Sequence, residues 1–258
     1  MLMKNSVLLE AKELYFKRDK KAILQNVSLQ VNKGDLHIVL GPNGAGKSSL
    51  LKILSGELSG VSGSVVFDGK NLNAYSIKEL AKKRAVLAQL NYFLFPMNAY
   101  EVCALGRTPY MGSSLNTEDK KIINESLQAV DMFAFAEQAY SSLSGGEQQR
   151  VHIARILCQN TELLLLDEPV SALDIRFQIQ LMNLLQRLVS EGKSVLCVMH
   201  DINLALRYAS QLTFLKEGKI IFQGEPAKAN NPELYEQVYG VSVALTQNDK
   251  GLVQINWN

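Results

Sequence analysis

Hydrophobic positions in this chain alternate between short unbroken runs and stripes at helical spacing. Leu36 to Leu40 (LHIVL) is a short apolar run that ends in a glycine-rich turn, and Ser48 to Leu54 then places Leu50, Ile53 and Leu54 at i, i+3 and i+4. The run predicts a buried strand and the stripe a helix. Leu163 to Leu166 is a second such run, and Leu181, Leu184, Leu185, Leu188 and Val189 form a helical stripe that Gly192 stops. Ser194 to Met199 (SVLCVM) is a third run, delivering His200 at its end. Buried strands alternating with helices imply a mainly parallel sheet covered on both faces.

Residues 90 to 160 depart from this pattern. Strand-like runs nearly vanish, while Asp119 to Val130 carries Ile123, Leu127 and Val130 at helical spacing. This predicts a helical subdomain inserted in an α/β core. The first 32 residues and Leu212 to Gln223, with a turn at Glu217 and Gly218, read as short strands of an antiparallel sheet flanking the core. No Pro/Ser-rich or repetitive stretch separates these parts, so one domain over 1–258 is expected. Within it, 1–88 and 161–240 form the α/β core with its antiparallel sheet, 89–160 the helical subdomain and 241–258 a tail.

Among the 258 residues, 27 Lys and Arg against 25 Asp and Glu leave a formal charge of +2, and 47% of residues are hydrophobic. These ordinary values exclude disorder, collagen and coiled coil. A balance this close to neutral supplies no field for a nucleic-acid backbone, so no nucleic-acid partner is expected. No apolar run approaches the roughly 18 to 20 residues of a membrane-spanning helix. Glu10, Lys12 and Glu13 stand where a signal peptide would be apolar, so the expected compartment is the cytoplasm. Cys103, Cys158 and Cys197 are odd in number and set among apolar residues, which predicts buried thiols rather than a disulfide or metal site.

Three stretches carry chemistry. Gly41 to Ser48, GPNGAGKS, fits G-x-x-x-x-G-K-[ST] between a predicted strand and a predicted helix. Gly41, Gly44 and Gly46 let backbone N–H groups turn toward phosphate oxygens, in a candidate ATP-binding loop that also contains Pro42, Asn43 and Ala45. Lys47 adds a point charge, the helix N-terminus at Ser48 and Ser49 adds its dipole, and the Ser48 hydroxyl suits Mg²⁺. Leu163 to Pro169, LLLLDEP, ends a strand in two acids: Asp167 suits a Mg²⁺ shell, and Glu168 can orient and deprotonate a water. In Leu143 to Val151, LSGGEQQRV, no ordinary structural reason is evident for two glycines between a serine and a charged helix start. Ser144, Gly145 and Gly146 therefore read as an anion-receptive helix terminus, with Glu147 next to them as a further candidate ATP-binding position. Ser171 to Asp174 (SALD) reads by itself as a helix N-cap, and His37 and His152 as structural residues.

In this order and spacing, GPNGAGKS, LSGGEQQR and LLLLDEP resemble the ATP-binding cassette (ABC) ATPases, whose signature motif is LSGGE. The resemblance covers nearly the whole chain. It implies a P-loop NTPase (RecA-like) α/β core with an antiparallel β subdomain and an inserted helical subdomain, hydrolysing ATP with Mg²⁺. It implies that Gln89, in VLAQL, contacts Mg²⁺ and water and senses the membrane partner, and that His200, in VMHD, bonds the γ-phosphate. Asp174 matches the aspartate at the dimer interface. A homodimer is implied, the phosphate loop of one copy and Ser144 of the other clamping one ATP. One departure is Arg18, which stands where many members have an adenine-stacking tyrosine, with Tyr15 and Phe16 nearby.

The absence of membrane helices, long coiled coils and a second cassette leaves, within that family, a separate subunit docked on two transmembrane permease subunits. A periplasmic or surface substrate-binding protein would complete the assembly, and the chain would sit peripherally on the cytoplasmic face of the inner membrane. Phe95 to Tyr110, FPMNAYEVCALGRTPY, resembles the segment of type II importer cassettes that serve ferric siderophore, heme and cobalamin permeases, with Gly106, Arg107 and Pro109 as a recurring element. Phe93, Phe95, Pro96 and Tyr110 put apolar mass beside Gln89, which suits either helical core or a groove for a permease helix. On the second reading Phe95, Arg107 and Tyr110 couple to the permease. The tract from Asp201 to Pro226 with Glu233 to Val243 is most similar to the heme-serving members. Siderophore or cobalamin import, or a soluble regulatory or assembly ATPase, are the alternatives.

Overall fold

The computed structural model describes residues 6–88, 96–112, 114–247 and 253–257. They fall into two units, Met1–Tyr75 with Leu188–Asn258, and Ser76–Arg187. The first unit opens with strands β1 (Val7–Arg18) and β2 (Lys21–Asn32), followed by β3 (Leu36–Leu40), helix α1 (Lys47–Leu54), β4 (Ser62–Phe67) and β5 (Lys70–Asn71). β1 lies antiparallel between β2 and β4. Leu9, Ala11, Leu14 and Phe16 are all buried, which moves the inward face of β1 from odd to even positions. The shift occurs at an irregularity between Ala11 and Leu14, where Glu13 has φ 50°. An extra residue in one strand inverts the parity beyond it, which is why simple alternation predicts only short strands where the structure has two of 12 residues.

The second unit contains α2 (Ile77–Lys83), β6 (Arg84–Leu87), α3 (Ala99–Ala104), α4 (Thr117–Gln128), α5 (Gly145–Cys158), β7 (Leu163–Asp167) and most of α6 (Ile175–Ser190). β6 and β7 pair in parallel. Each of α2, α3, α4 and α5 begins with a capping box, in which the N-cap side chain and the acid three residues on exchange hydrogen bonds with each other's backbone N–H. The boundaries of this unit, 75/76 and 187/188, lie outside those read from the sequence, 88/89 and 160/161. Within this unit Gln159, just past α5, donates to the Arg84 carbonyl at 2.9 Å.

The first unit resumes with β8 (Ser194–Val198), α7 (Ile202–Tyr208), β9 (Gln211–Lys216), β10 (Lys219–Gly224), α8 (Pro232–Tyr239), β11 (Val243–Gln247) and β12 (Val253–Trp257). β3 is flanked by β8 and β9, both parallel to it, and all of its residues are buried. β9 and β10 form the expected hairpin around Glu217 and Gly218, but β9 joins β3 rather than the sheet of β1 and β2. Leu212 to Leu215 are buried on both faces, as a strand inside a covered sheet requires. Residues 241–258, expected as a tail, contain the antiparallel β11–β12 pair. Among the described residues no helix is long and apolar enough to cross a membrane. All three cysteines are buried free thiols.

Candidate nucleotide site

The loop between β3 and α1 is shaped from both ends. Gly46, the N-cap of α1, has φ 105°, and a Cβ there would stand 2.8 Å from the Ile23 carbonyl, so a side chain is excluded by conformation and by space. The turn of the β9–β10 hairpin supports the loop, since Gly218 N–H donates to the Ala45 carbonyl at 2.9 Å. Lys47 is only 6% exposed, and its ammonium donates to the carbonyls of Gly41 (2.7 Å) and Pro42 (3.0 Å). One cation thus fixes the start of the loop against its end. α1 has no acid in its first turn, so the positive end of its dipole at Ser48 and Ser49 is uncompensated by side chains of that turn.

In the second unit, Asp167 closes β7 at 3% exposure and Glu168 follows with φ 51°. A non-glycine residue in the left-handed region is strained, and such strain concentrates where a side chain must be aimed. The backbone N–H and hydroxyl of Ser171 both donate to the Glu168 carbonyl, at 3.3 and 3.0 Å, holding that turn.

The signature helix corrects one expectation. Ser144 is the N-cap of α5: its hydroxyl donates to Glu147 Oε2 at 2.7 Å, and its backbone N–H donates to the same oxygen at 2.8 Å. These bonds hold the Glu147 carboxyl below its usual pKa range. Serine and glutamate therefore have an ordinary structural reason here, and so does Gly146, where a Cβ would stand 3.2 Å from the Ala172 carbonyl. The close approach brings the start of α5 against the 168–174 loop. Asp174 N-caps α6 through the Phe177 N–H at 3.0 Å, as SALD suggests, and is exposed.

Sequence reading missed two glutamines that latch these loops. Gln149 donates to the Pro169 carbonyl at 3.1 Å, and Gln178 to the Leu173 carbonyl at 3.0 Å. The signal was the second Gln of GEQQR, an amide without an assigned partner. His200 is exposed at the end of β8, and Asp201 caps α7 through the Leu204 N–H at 2.8 Å. Gln89, Phe93 and Phe95 lie outside the described residues.

Of the expected coupling residues, Arg107 is 7% exposed and engaged inside its own unit, with Nε on Asp119 at 2.8 Å and Nη1 on the Cys158 carbonyl at 3.0 Å. Its guanidinium also stacks 4.2 Å from the ring centre of Tyr110, which is 36% exposed. Arg107 thus supports Tyr110 from beneath rather than offering itself to a partner. Near Arg18, Tyr15 is exposed and Phe16 buried. His37 and His152 are buried, hydrogen-bonded to Thr213 and Tyr140 at 2.8 and 2.7 Å.

A phosphate loop fixed by its own lysine and a serine-capped helix packed against an acid-bearing loop are the parts of a nucleotide-hydrolysing cassette on the P-loop fold. Comparison with known proteins gives the family: its profile, ABC transporter, matches residues 24–171, and the chain belongs to the ABC transporter family. It is 40% identical over 255 residues to "Hemin import ATP-binding protein HmuV" of Photobacterium profundum, covering 97% of this chain and 91% of that one. The protein of the same name from Rhodococcus jostii is 38% identical over 242 residues, covering 94% and 83%. Among solved structures, an inward-facing putative metal-chelate type ABC transporter matches with a TM-score of 0.83 at 24% identity, covering 98% of each chain. The dimeric structure of a bacterial ABC transporter cassette matches with a TM-score of 0.76 at 31% identity, covering 85% of this chain and 99% of that one. The chain is an ATPase with the fold of these cassettes.

Proposed function

We propose that this chain is the ATP-hydrolysing subunit of a type II importer for hemin. Two copies close on two ATP molecules, the phosphate loop of each facing Ser144 of the other, and the closure moves two attached permease subunits. A substrate-binding protein delivers the cargo, and the chain works peripherally at the cytoplasmic face of the inner membrane. Lys47 binds the β and γ phosphates, and Glu168 takes the proton of the attacking water. His200 and Gln89 hold the γ-phosphate and the water, and Asp174 meets the other copy.

The Ser48 hydroxyl and the Asp167 carboxylate are hard oxygen donors of the kind Mg²⁺ prefers, and together with phosphate oxygens they would hold it. When bound, Mg²⁺ would supply positive charge that offsets the negative charge developing on the phosphate oxygens. Tyr110 and Phe95 are the proposed permease contacts, and Arg107 is a positioning residue for Tyr110.

The observation that carries the cargo is near full-length similarity, at 40% identity, to a protein named for hemin import. The test is uptake of labelled hemin, a ferric siderophore and cobalamin in cells carrying the intact chain or Glu168→Gln. Loss of hemin uptake alone supports the reading. Loss of another cargo replaces hemin with it, and loss of none, with the chain absent from the membrane fraction, favours a soluble ATPase.

A further inference from the structure

The second unit holds a cleft of about 380 Å³ between the end of α4, the middle of α5 and the outer face of α6. That volume lies within the range of about 300 to 1,000 Å³ typical of small-molecule sites. Its floor is apolar, formed by Val130, Ile153, Leu181, Leu184 and the ring of Phe177.

Its polar groups are biased toward cations. Arg150 and Arg187 line it against one acid, Asp131, whose carboxylate already accepts from Gln180 Nε2 at 3.4 Å. The Arg150 guanidinium lies 3.9 Å from the centre of the Phe177 ring. Its Nη1 reaches the carbonyls of Val130 and Asp131 only at 3.5 Å. Two guanidinium groups lining an apolar floor, one of them held only by long hydrogen bonds, suit an anionic acceptor attached to an apolar body.

The walls of this cleft are continuous with the nucleotide motifs. α5 is capped by Ser144 and α6 by Asp174, and Gln149 with Gly146 holds the start of α5 against the loop that leads into α6. An occupant wedged between α5 and α6 therefore bears on the relative placement of the signature serine and the residues that follow Glu168.

We propose that this cleft binds a small free organic acid, an apolar ring or short chain with one carboxylate, and that its occupancy is coupled to nucleotide. The binding site stands on its own geometry, and the coupling rests on the ATPase reading above.

The probe is 1-naphthoate, titrated by calorimetry against the full chain. The expected result is one saturable site per chain, with affinity lowered roughly 10- to 100-fold by Arg150→Gln, the span of one charge-assisted hydrogen bond. Asn183→Trp, which places an indole at the cleft from an exposed position, should abolish binding with the fold intact by circular dichroism. Unchanged binding in both variants would overturn the site. Equal binding of neutral 1-naphthylmethanol would overturn the acid, and displacement by phosphatidylglycerol vesicles would replace a free acid with a lipid. A non-hydrolysable ATP analogue should shift the naphthoate Kd, and naphthoate the analogue Kd, by the same factor. No shift with the analogue bound overturns the coupling, whereas failure of the analogue to bind counts against the ATPase reading and leaves the cleft standing.

Discussion

Arg107 Nε donates to Asp119 Oδ1 at 2.8 Å in an ion pair whose side chains are 9% and 3% exposed. The same carboxylate closes the capping box of α4, accepting from Asn116 N–H through Oδ2 at 3.1 Å. These bonds, with the Arg107 guanidinium first among them, hold the Asp119 carboxyl below its usual pKa range. One acid thus starts a helix and anchors the residue that supports Tyr110. Replacing Arg107 with Leu leaves the Asp119 carboxylate without its cation, so the urea midpoint should fall. A urea midpoint equal to wild type would refute the buried pair.

On the proposed function, Lys47 binds phosphate through the same ammonium that closes its loop. Lys47→Ala should weaken ATP binding by roughly 10- to 100-fold, the span of one charge-assisted hydrogen bond of about 1.5 to 3 kcal/mol. Equilibrium dialysis checks it; an ATP Kd unchanged in the variant would speak against the loop as the phosphate site.

Glu168 combines a reactive side chain with a strained backbone. Glu168→Gln keeps size and φ but cannot accept a proton, so ATP should still bind while turnover falls by about 10² to 10⁴. Glu168→Gly should be as inactive yet gain about 1 kcal/mol from backbone relief, less the entropy its unfolded chain acquires. Turnover near wild type in the Gln variant would remove Glu168 from the base role.

Asn203, on α7, pairs with the backbone of β12 in both directions: its Nδ2 donates to the Ile255 carbonyl at 3.1 Å and its Oδ1 accepts the Ile255 N–H at 2.8 Å. Loss of both bonds in Asn203→Ala should release the C-terminal hairpin locally, at about 1 to 2 kcal/mol. Faster amide exchange confined to β11 and β12 (Val243–Gln247 and Val253–Trp257) is the expected signature, and exchange unchanged there would show that the pairing holds nothing.

His37 and His152 are both pushed down to about 4 by burial, with the Arg155 charge adding to the effect at His152. Unfolded histidine titrates near 6.5, so between those values the unfolded chain takes up protons that the folded chain refuses. Stability is therefore full above about pH 6.5 and falls as pH drops toward about 4, by about 1.4 kcal/mol per pH unit for each histidine. Urea midpoints measured from pH 7 to 4.5 should show that slope, and His37→Gln should lessen it.

What could be read in the sequence was local. The phosphate loop, the acid pair after Leu163 to Leu166 and the serine-headed helix each lie within a few consecutive residues, where spacing alone fixes which groups face one way. Leu36 to Leu40 and Leu163 to Leu166 were legible as strands because they are buried on both faces, and SALD because a cap is made by its own neighbours.

The rest depended on residues distant along the chain. The inversion at Glu13 hid the length of β1, since alternation is read correctly only up to an extra residue. β9 was legible as a strand but not as a neighbour of β3, because pairing is chosen by what covers its faces. Arg107 and Gly146 looked functional from their motifs, and only the fold showed the carboxylate against one and the Ala172 carbonyl against the other. The sequence by itself determined which side chains are candidates to bind and cleave a phosphoanhydride, because that chemistry belongs to residue types at short spacing. Tertiary structure alone decided which of them are buried, paired and strained, because desolvation and packing come from atoms that the chain brings together only on folding.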